Sequence, residues 1–501
     1  MLKNRILKTA VAIVAFTFFI CHVAAQHLYL DYKPRLTYTK SDELLLDKLD
    51  IQLKEVKNGT RSFKRDEINK IYDVWGKRLR RMVLKKELIK DDSLQQFLEN
   101  IVDRLENNTS IQNKSKIILI HKNPSVNAVS CADGTLLIFI GIMSKITSES
   151  QLAFAIAHEI AHFELQHIRK KITSLVERDL LSKEKENLKQ LFSDRGSTEN
   201  MEALRELWYA ETSFSREHEL EADSLGFAIF KNAGYAQHQA TILLSLLDET
   251  KLPNDPEFDF ILQFDLKEYP LKEEWFKKRL SVFKSKPIDL FFLEDSLHTH
   301  PDIEYRKEIL NQYVQDRQSP LDYQPVAFVG ACILTAKFEA IESAYSNEQY
   351  DLCLYLALKL RTFYPQNSYL VSMISKVLIG LCEAKDFTYD FGLLLPKKTT
   401  YYNEELRFVN DFLNNLKKDE LGDIAYFFLN DNTNFSTIKE EHYYLLWKAC
   451  NLTNRKEIGK KIKREYLETF TGGEYRLRMI LSQPYKSKLS KIKHRVQTSS
   501  Y

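Results

Sequence analysis

Between Leu152 and His167 the chain reads LAFAIAHEIAHFELQH, three histidines and two glutamates in a run of otherwise apolar, helix-forming residues. Positions i and i+4 of an α-helix lie about 40° apart and one turn along. His158 and His162 therefore present their imidazoles on one side, where two rings can grip one metal ion. Glu159 follows the first histidine and can reach a water held beside that ion. This is the HExxH arrangement of two zinc ligands and a general base.

A catalytic zinc wants a third protein ligand and an open fourth position. About 55 residues on, SREHELEADSLGFAI places acids in an apolar helical pattern. Glu219 and Asp223 share a face at i, i+4 spacing. Glu219 suits the third ligand, and Asp223 could accept a ring N–H from a ligating histidine and fix its orientation. Glu217 and Glu221 compete for the ligand role, but each lies about 200° from Glu219 and is expected to face solvent. His167, nine residues after His158, falls about 180° away if the helix continues. It is expected to be a structural histidine rather than a fourth ligand.

These residues need elements to hold them. INKIYDVWGKRLRRMVL and DSLQQFLENIVDRLEN carry apolar residues at helical spacing across 64–107, with Asp91, Asp92 and Ser93 as candidate caps. KIILIH and TLLIFIGIM then read as strands, with a short third strand at NAVS and a turn at Asp133–Gly134. Helical pattern returns after Ser148, an N-cap candidate, with Glu149 suited to the helix dipole, and runs through His167 to about Phe192. Further helices are expected over roughly 199–212 and from Phe214 to Ala233, ending at Gly234. Prolines 253, 256, 270 and 287 mark 251–300 as irregular, and nearly everything from 325 to 482 reads as helix.

The whole chain is consistent with that plan. Its 501 residues allow several domains, and 44% hydrophobic with 28% charged content supports large cores. Only 14 Gly and 12 Pro favour helices over a turn-rich sandwich. A net charge of +3 is too small to make nucleic acid the main partner. Residues 1–25 read as a secretory signal peptide, with Lys3, Arg5 and Lys8 before a short apolar run and small residues up to Ala25. The apolar run is too short to span a bilayer comfortably, and no second one approaches 20 residues. An extracytoplasmic, soluble mature chain is the expectation, with peripheral membrane contact left open. Beyond Cys21, five cysteines match no disulfide or zinc framework and read as small buried hydrophobes, with one bridge among Cys332, Cys353 and Cys382 conceivable.

Four segments together resemble the zinc metallopeptidase family of HtpX and the CAAX prenyl proteases, and within it the periplasmic BepA-like branch. NAVSCADGTLLIFIGIM is similar to that family's strand and hairpin, and ESQLAFAIAHEIAHFELQH to its zinc helix. SREHELEAD fits its RxxExxAD pattern, and HTHPDIEYR its HPxxxxR element, over a match of roughly 65–315. The resemblance implies a gluzincin fold with one Zn2+ on His158, His162 and Glu219, Asp223 behind them, and Glu159 as base. It brings His300 and Arg306 towards the site, where they would help a tetrahedral oxyanion. A structural ion pair is the competing role for Arg306. His300 could instead latch the zinc until substrate displaces it. Proteases of this kind hold substrate as an added strand, which points to Asn127, Ala128, Val129 and Ser130 lining the cleft.

The expected fold class is α+β and mostly helical. A signal peptide (1–25) and N-terminal segment (26–63) precede a metallopeptidase domain (64–315) with a small sheet beside the HExxH helix. A helical, tetratricopeptide-like domain (325–482) and a basic tail (483–501) follow. NEQYDLCLYLALKLRTFYPQNSYLVSMISKVLIGLCEAKDF supplies one convincing helical hairpin but no clean 34-residue period. Stacked hairpins bind extended peptides or partner proteins. The expected substrates are unfolded or misassembled proteins, and the C-terminal helices could join a cell-envelope complex. The competing function is a chaperone-like binding protein with a latched metal site.

Overall fold

A computed structural model describes residues 32–34, 41–115, 117–177, 216–264, 266–277, 303–315, 327–385, 394–395, 402–433 and 440–481. The leader, the helix expected at 199–212, His300 and the basic tail lie outside the described residues. The chain divides into two compact units, one of residues 35–252 with 290–343, the other of 1–34, 253–289 and 344–501.

The first unit begins with α1 (Ser41–Asn58) and α2 (Arg65–Leu84). Then come β1 (Leu88–Ile89), α3 (Asp92–Asn107), β2 (Ile117–His121), β3 (Ala128–Ser130) and β4 (Thr135–Phe139). The sheet has four strands in the order β1-β2-β4-β3. β2 runs parallel to β4, and β3 is an antiparallel edge strand paired through Val129 and Leu137. Asp91 caps α3 by accepting from the Leu94 N–H at 2.9 Å. Gly134 (φ +90°) makes the tight β3–β4 turn, a left-handed conformation that glycine adopts without steric cost. The strand expected to run on past Phe139 instead turns into α4 (Ile140–Lys145).

Helix α5 (Glu149–Glu164) carries the HExxH residues and is buried from Ser150 to Phe163. Ser148 caps it by accepting from the Gln151 N–H. Its alanines let neighbours come close, and α7 (Arg216–Asn232) packs against it. At Gly226 an added Cβ would lie 3.0 Å from the His158 Cα, so glycine here lets the two backbones approach. Arg104 on α3 donates to the Ala233 carbonyl beyond the end of α7 at 2.8 Å, and Gly234 closes it with φ +73°.

The helix expected to run on beyond His167 does not. α5 stops at Glu164, Gln166 adopts φ +55°, and α6 (His167–Glu177) starts afresh. Its Ile168, Ile172 and Val176 bury against Val56, Ile68, Ile71 and Tyr72, so α6 is aimed by contact with α1 and α2. The unit is completed by α8 (Gln239–Leu247), α9 (Ile303–Tyr313) and most of α10 (Ala327–Ser346), whose Phe328 meets Phe97 edge to face at 6.3 Å. Leu49 of α1 lies in one core with Leu79, Leu119, Val129 and Leu137, so α1 belongs to this unit rather than to a separate leader segment.

The second unit contains α11 (Tyr350–Phe363), α12 (Ser368–Ala384), α13 (Glu404–Asn415), α14 (Lys418–Asp431), α15 (Glu440–Leu452), α16 (Lys456–Thr469) and α17 (Arg476–Leu481). Asn367 ends the Pro-Gln-Asn turn and caps α12 by accepting from the Leu370 N–H at 3.1 Å. The proline-rich segment after 252 packs with this unit. Phe260 meets Phe412 at 4.9 Å and Trp275 is buried, so its aromatic side chains complete the helical core. The cysteines at 131, 332, 353, 382 and 450 are all free and buried. Among the described residues no helix is long and apolar enough to cross a membrane.

Candidate metal centre

His158 and His162 point their Nε2 atoms at one another across 2.9 Å. Glu219 on α7 completes the group, with Oε2 at 3.5 Å from His158 Nε2 and Oε1 at 3.5 Å from His162 Nε2. Three donors about 2.0–2.1 Å from a tetrahedral ion stand roughly 3.3 Å apart. The separations bracket that value, all three residues are buried, and the donor set suits a borderline-soft divalent ion.

Asp223 accepts from the other nitrogen of His158, with Nδ1 to Oδ1 at 3.0 Å. That pairing favours a proton on Nδ1 and would turn Nε2 towards a metal ion. Arg306 on α9 lies behind Asp223, donating Nε to Oδ2 at 2.7 Å and Nη2 to Oδ1 at 2.8 Å. Its Nη1 lies 3.0 Å from Glu219 Oε2. One buried guanidinium therefore meets both Glu219 and the aspartate paired with His158. Every side of the guanidinium faces a carboxylate.

The titration of these groups follows from that network. Burial opposes charge on His158, but hydrogen bonds to Asp223 and Glu219 outweigh it and push its pKa to about 9. Burial would raise Asp223, but the Arg306 charge and hydrogen bonds take it down to about 2. Arg306 is held charged against its burial by Asp223 and Glu219.

Glu159 is buried beside His158, and its Oε2 accepts from the Ser130 N–H of β3 at 2.6 Å. The candidate base is thereby tied to the sheet's edge strand. Asn127, Ala128, Val129 and Ser130 are all buried, and the Asn127 side chain accepts from the Ala128 N–H at 2.8 Å.

One residue was placed wrongly by the angular argument. His167 is not on the far side of the HExxH helix, because that helix ends before it. Its Nδ1 lies 2.9 Å from His162 Nδ1, and its Nε2 lies 3.0 Å from Glu221 Oε2. Glu221 faces solvent as expected, its side chain 59% exposed, and also pairs with His167. Nothing in the residue types forecast this, since Gln166 is neither Gly nor Pro and the helical pattern runs unbroken across it. Glu217 is exposed and takes no part.

Two histidines and a glutamate around one point, with a second glutamate beside them, form a group that could hold a metal ion. Residues 92–314 match the model of peptidase family M48. It is 27% identical over 144 residues to the mitochondrial metalloendopeptidase OMA1 of Arabidopsis thaliana, covering 29% of this chain and 28% of that one. It is 26% identical over 175 residues to the beta-barrel assembly-enhancing protease of Escherichia coli O157:H7, covering 34% and 36%. The bovine mitochondrial metalloendopeptidase OMA1 is 24% identical over 100 residues, 20% of this chain and 19% of the relative. The matches thus span little more than a third of any of these relatives.

Proposed function

We propose that the chain is a zinc-dependent metalloendopeptidase that hydrolyses peptide bonds in misfolded or stalled proteins of the cell envelope. The observation that carries this is the convergence of His158, His162 and Glu219 with Glu159 alongside. Zinc held by those three residues would polarise the scissile carbonyl and acidify a water molecule. Glu159 takes that water's proton and returns it to the leaving nitrogen. The Ser130 N–H steadies Glu159 for both transfers. Asp223 and Arg306 position His158 and Glu219 rather than touching substrate. Substrate lies as an added strand along the Asn127–Ser130 edge, which requires whatever now covers these residues to move aside.

The basic and apolar leader supports export across a membrane, and we place the mature protein in a periplasm-like compartment with peripheral membrane contact. The helical unit would present surfaces to unfolded substrates or to an envelope complex. Nucleic acid is not an expected partner.

A paired assay tests the reading. The full chain and Glu159→Gln are purified, their metal content measured by mass spectrometry, and both are offered unfolded casein. One zinc in each, with cleavage slowed about a hundred- to ten-thousand-fold in the variant, is the expected outcome. Zinc in both and cleavage by neither would remove the peptidase; zinc in neither would remove the site.

A further inference from the structure

Beside the first group lies a second of the same composition. His167 at the start of α6, with His218 and Glu221 on α7, bring one ring nitrogen each and a carboxylate oxygen within 4.8 Å of one another. The two rings stack at 4.3 Å between centroids and 22° between planes. His167 Nε2 already lies 3.0 Å from Glu221 Oε2. Two imidazoles and a carboxylate suit zinc, nickel or copper rather than calcium or magnesium. Unlike Glu219, which is 1% exposed, Glu221 opens this group to solvent, so an ion could enter and leave without disturbing the buried centre. Lys170, on α6 with His167, opposes a cation there and argues for weak, exchangeable binding.

We propose that His167, His218 and Glu221 form a second, exchangeable site for a divalent transition metal, and that filling it weakens metal binding at His158, His162 and Glu219. The coupling follows from where the ring protons can sit. His162 offers Nε2 to the first site, so its proton is on Nδ1 and donates to His167 Nδ1 across 2.9 Å. His167 then carries its proton on Nε2 and donates it to Glu221. An ion on His167 Nε2 displaces that proton, and a neutral ring must place its remaining proton on Nδ1. Two N–H groups would then face each other between His162 and His167, so one ring must turn away. Each ion therefore weakens the other by the same factor. Excess zinc acts as an inhibitor through a contact outside the reacting centre. This rests on the zinc reading of the first site.

The test is calorimetric titration of the metal-free full chain with zinc, alongside His218→Gln, Glu221→Gln and Glu219→Gln, each checked for native folding by circular dichroism. Two binding classes are expected in the full chain, with the weaker lost in His218→Gln and Glu221→Gln. In Glu219→Gln the tight class is lost and the remaining one tightens, by roughly five- to 150-fold for ordinary coupling energies. Casein cleavage at one equivalent of zinc should be unchanged in His218→Gln, and inhibition by excess zinc should disappear. A single class in the full chain, unaltered by His218→Gln and Glu221→Gln, overturns the second site. Two classes whose affinities ignore Glu219→Gln overturn the coupling. A tight class that survives Glu219→Gln overturns instead the reading of the first site.

Discussion

Asp223 in the peptidase unit and Asp351 in the helical unit are both buried, at 1% and 0% exposure, yet their surroundings are opposite. Asp223 accepts two hydrogen bonds from a guanidinium and one from His158, and its pKa falls to about 2. Asp351 accepts from neutral donors, the Tyr402 hydroxyl at 2.8 Å, the Asn410 amide at 2.7 Å and the Leu352 N–H at 2.9 Å. Burial outweighs those bonds and raises its pKa. A buried carboxylate facing a fixed cation stays charged and can orient a metal ligand. One facing hydroxyl and amide groups is a packing device that tolerates neutralisation. The difference separates a buried acid beside the candidate metal centre from one within the helical core.

Removing the cation tests this most severely. Arg306→Met leaves Asp223 and Glu219 buried without a counter-charge, and the metal-free protein should lose about 3–5 kcal/mol of stability. Chemical denaturation reads this, and a loss under 1 kcal/mol would dissolve the contrast. Asp223→Asn keeps the shape but gives His158 a weaker acceptor. Zinc affinity, measured by chelator competition, should drop about 10–100-fold with folding intact. Gly226→Ala presses a methyl group on the His158 backbone. Overpacking should cost about 1–3 kcal/mol, against a gain of about 1 kcal/mol in helix propensity, so a net stabilisation would show that α5 and α7 are not tightly apposed.

The smallest effect belongs to Asp351. A carboxyl whose folded pKa is raised takes up a proton on folding, so it favours the native state as pH falls through that folded value and opposes it above. Asp351→Asn should change stability at neutral pH by no more than about 1 kcal/mol. It should also flatten the rise in stability that the unmodified helical unit shows on mild acidification. A large loss would mean that the charge at Asp351 is needed.

The sequence made much of the peptidase unit readable because its chemistry is local. His158, Glu159 and His162 are fixed by one helical turn, and Glu219 and Asp223 by another. Ser148, Asp91 and Gly234 mark element ends through side-chain caps and backbone freedom that depend on residue type. What escaped is set by contacts distant in sequence. Gln166 turns the chain with a positive φ, α6 then packs on α1 and α2, and His167 meets His162. Arg306 could be brought to the site by its motif, but which atoms it would hold depends on how α9 lies against α7. The packing of Phe260 and Trp275 escaped because prolines signal irregularity and say nothing of which core a segment's side chains will join.

The most direct single measurement is zinc K-edge X-ray absorption on the full chain loaded with one equivalent of zinc. Two imidazole nitrogens with carboxylate and water oxygens, all at about 2.0–2.1 Å, is the shell expected from His158, His162 and Glu219. A sulfur-containing or all-oxygen shell would contradict that centre and the function built on it.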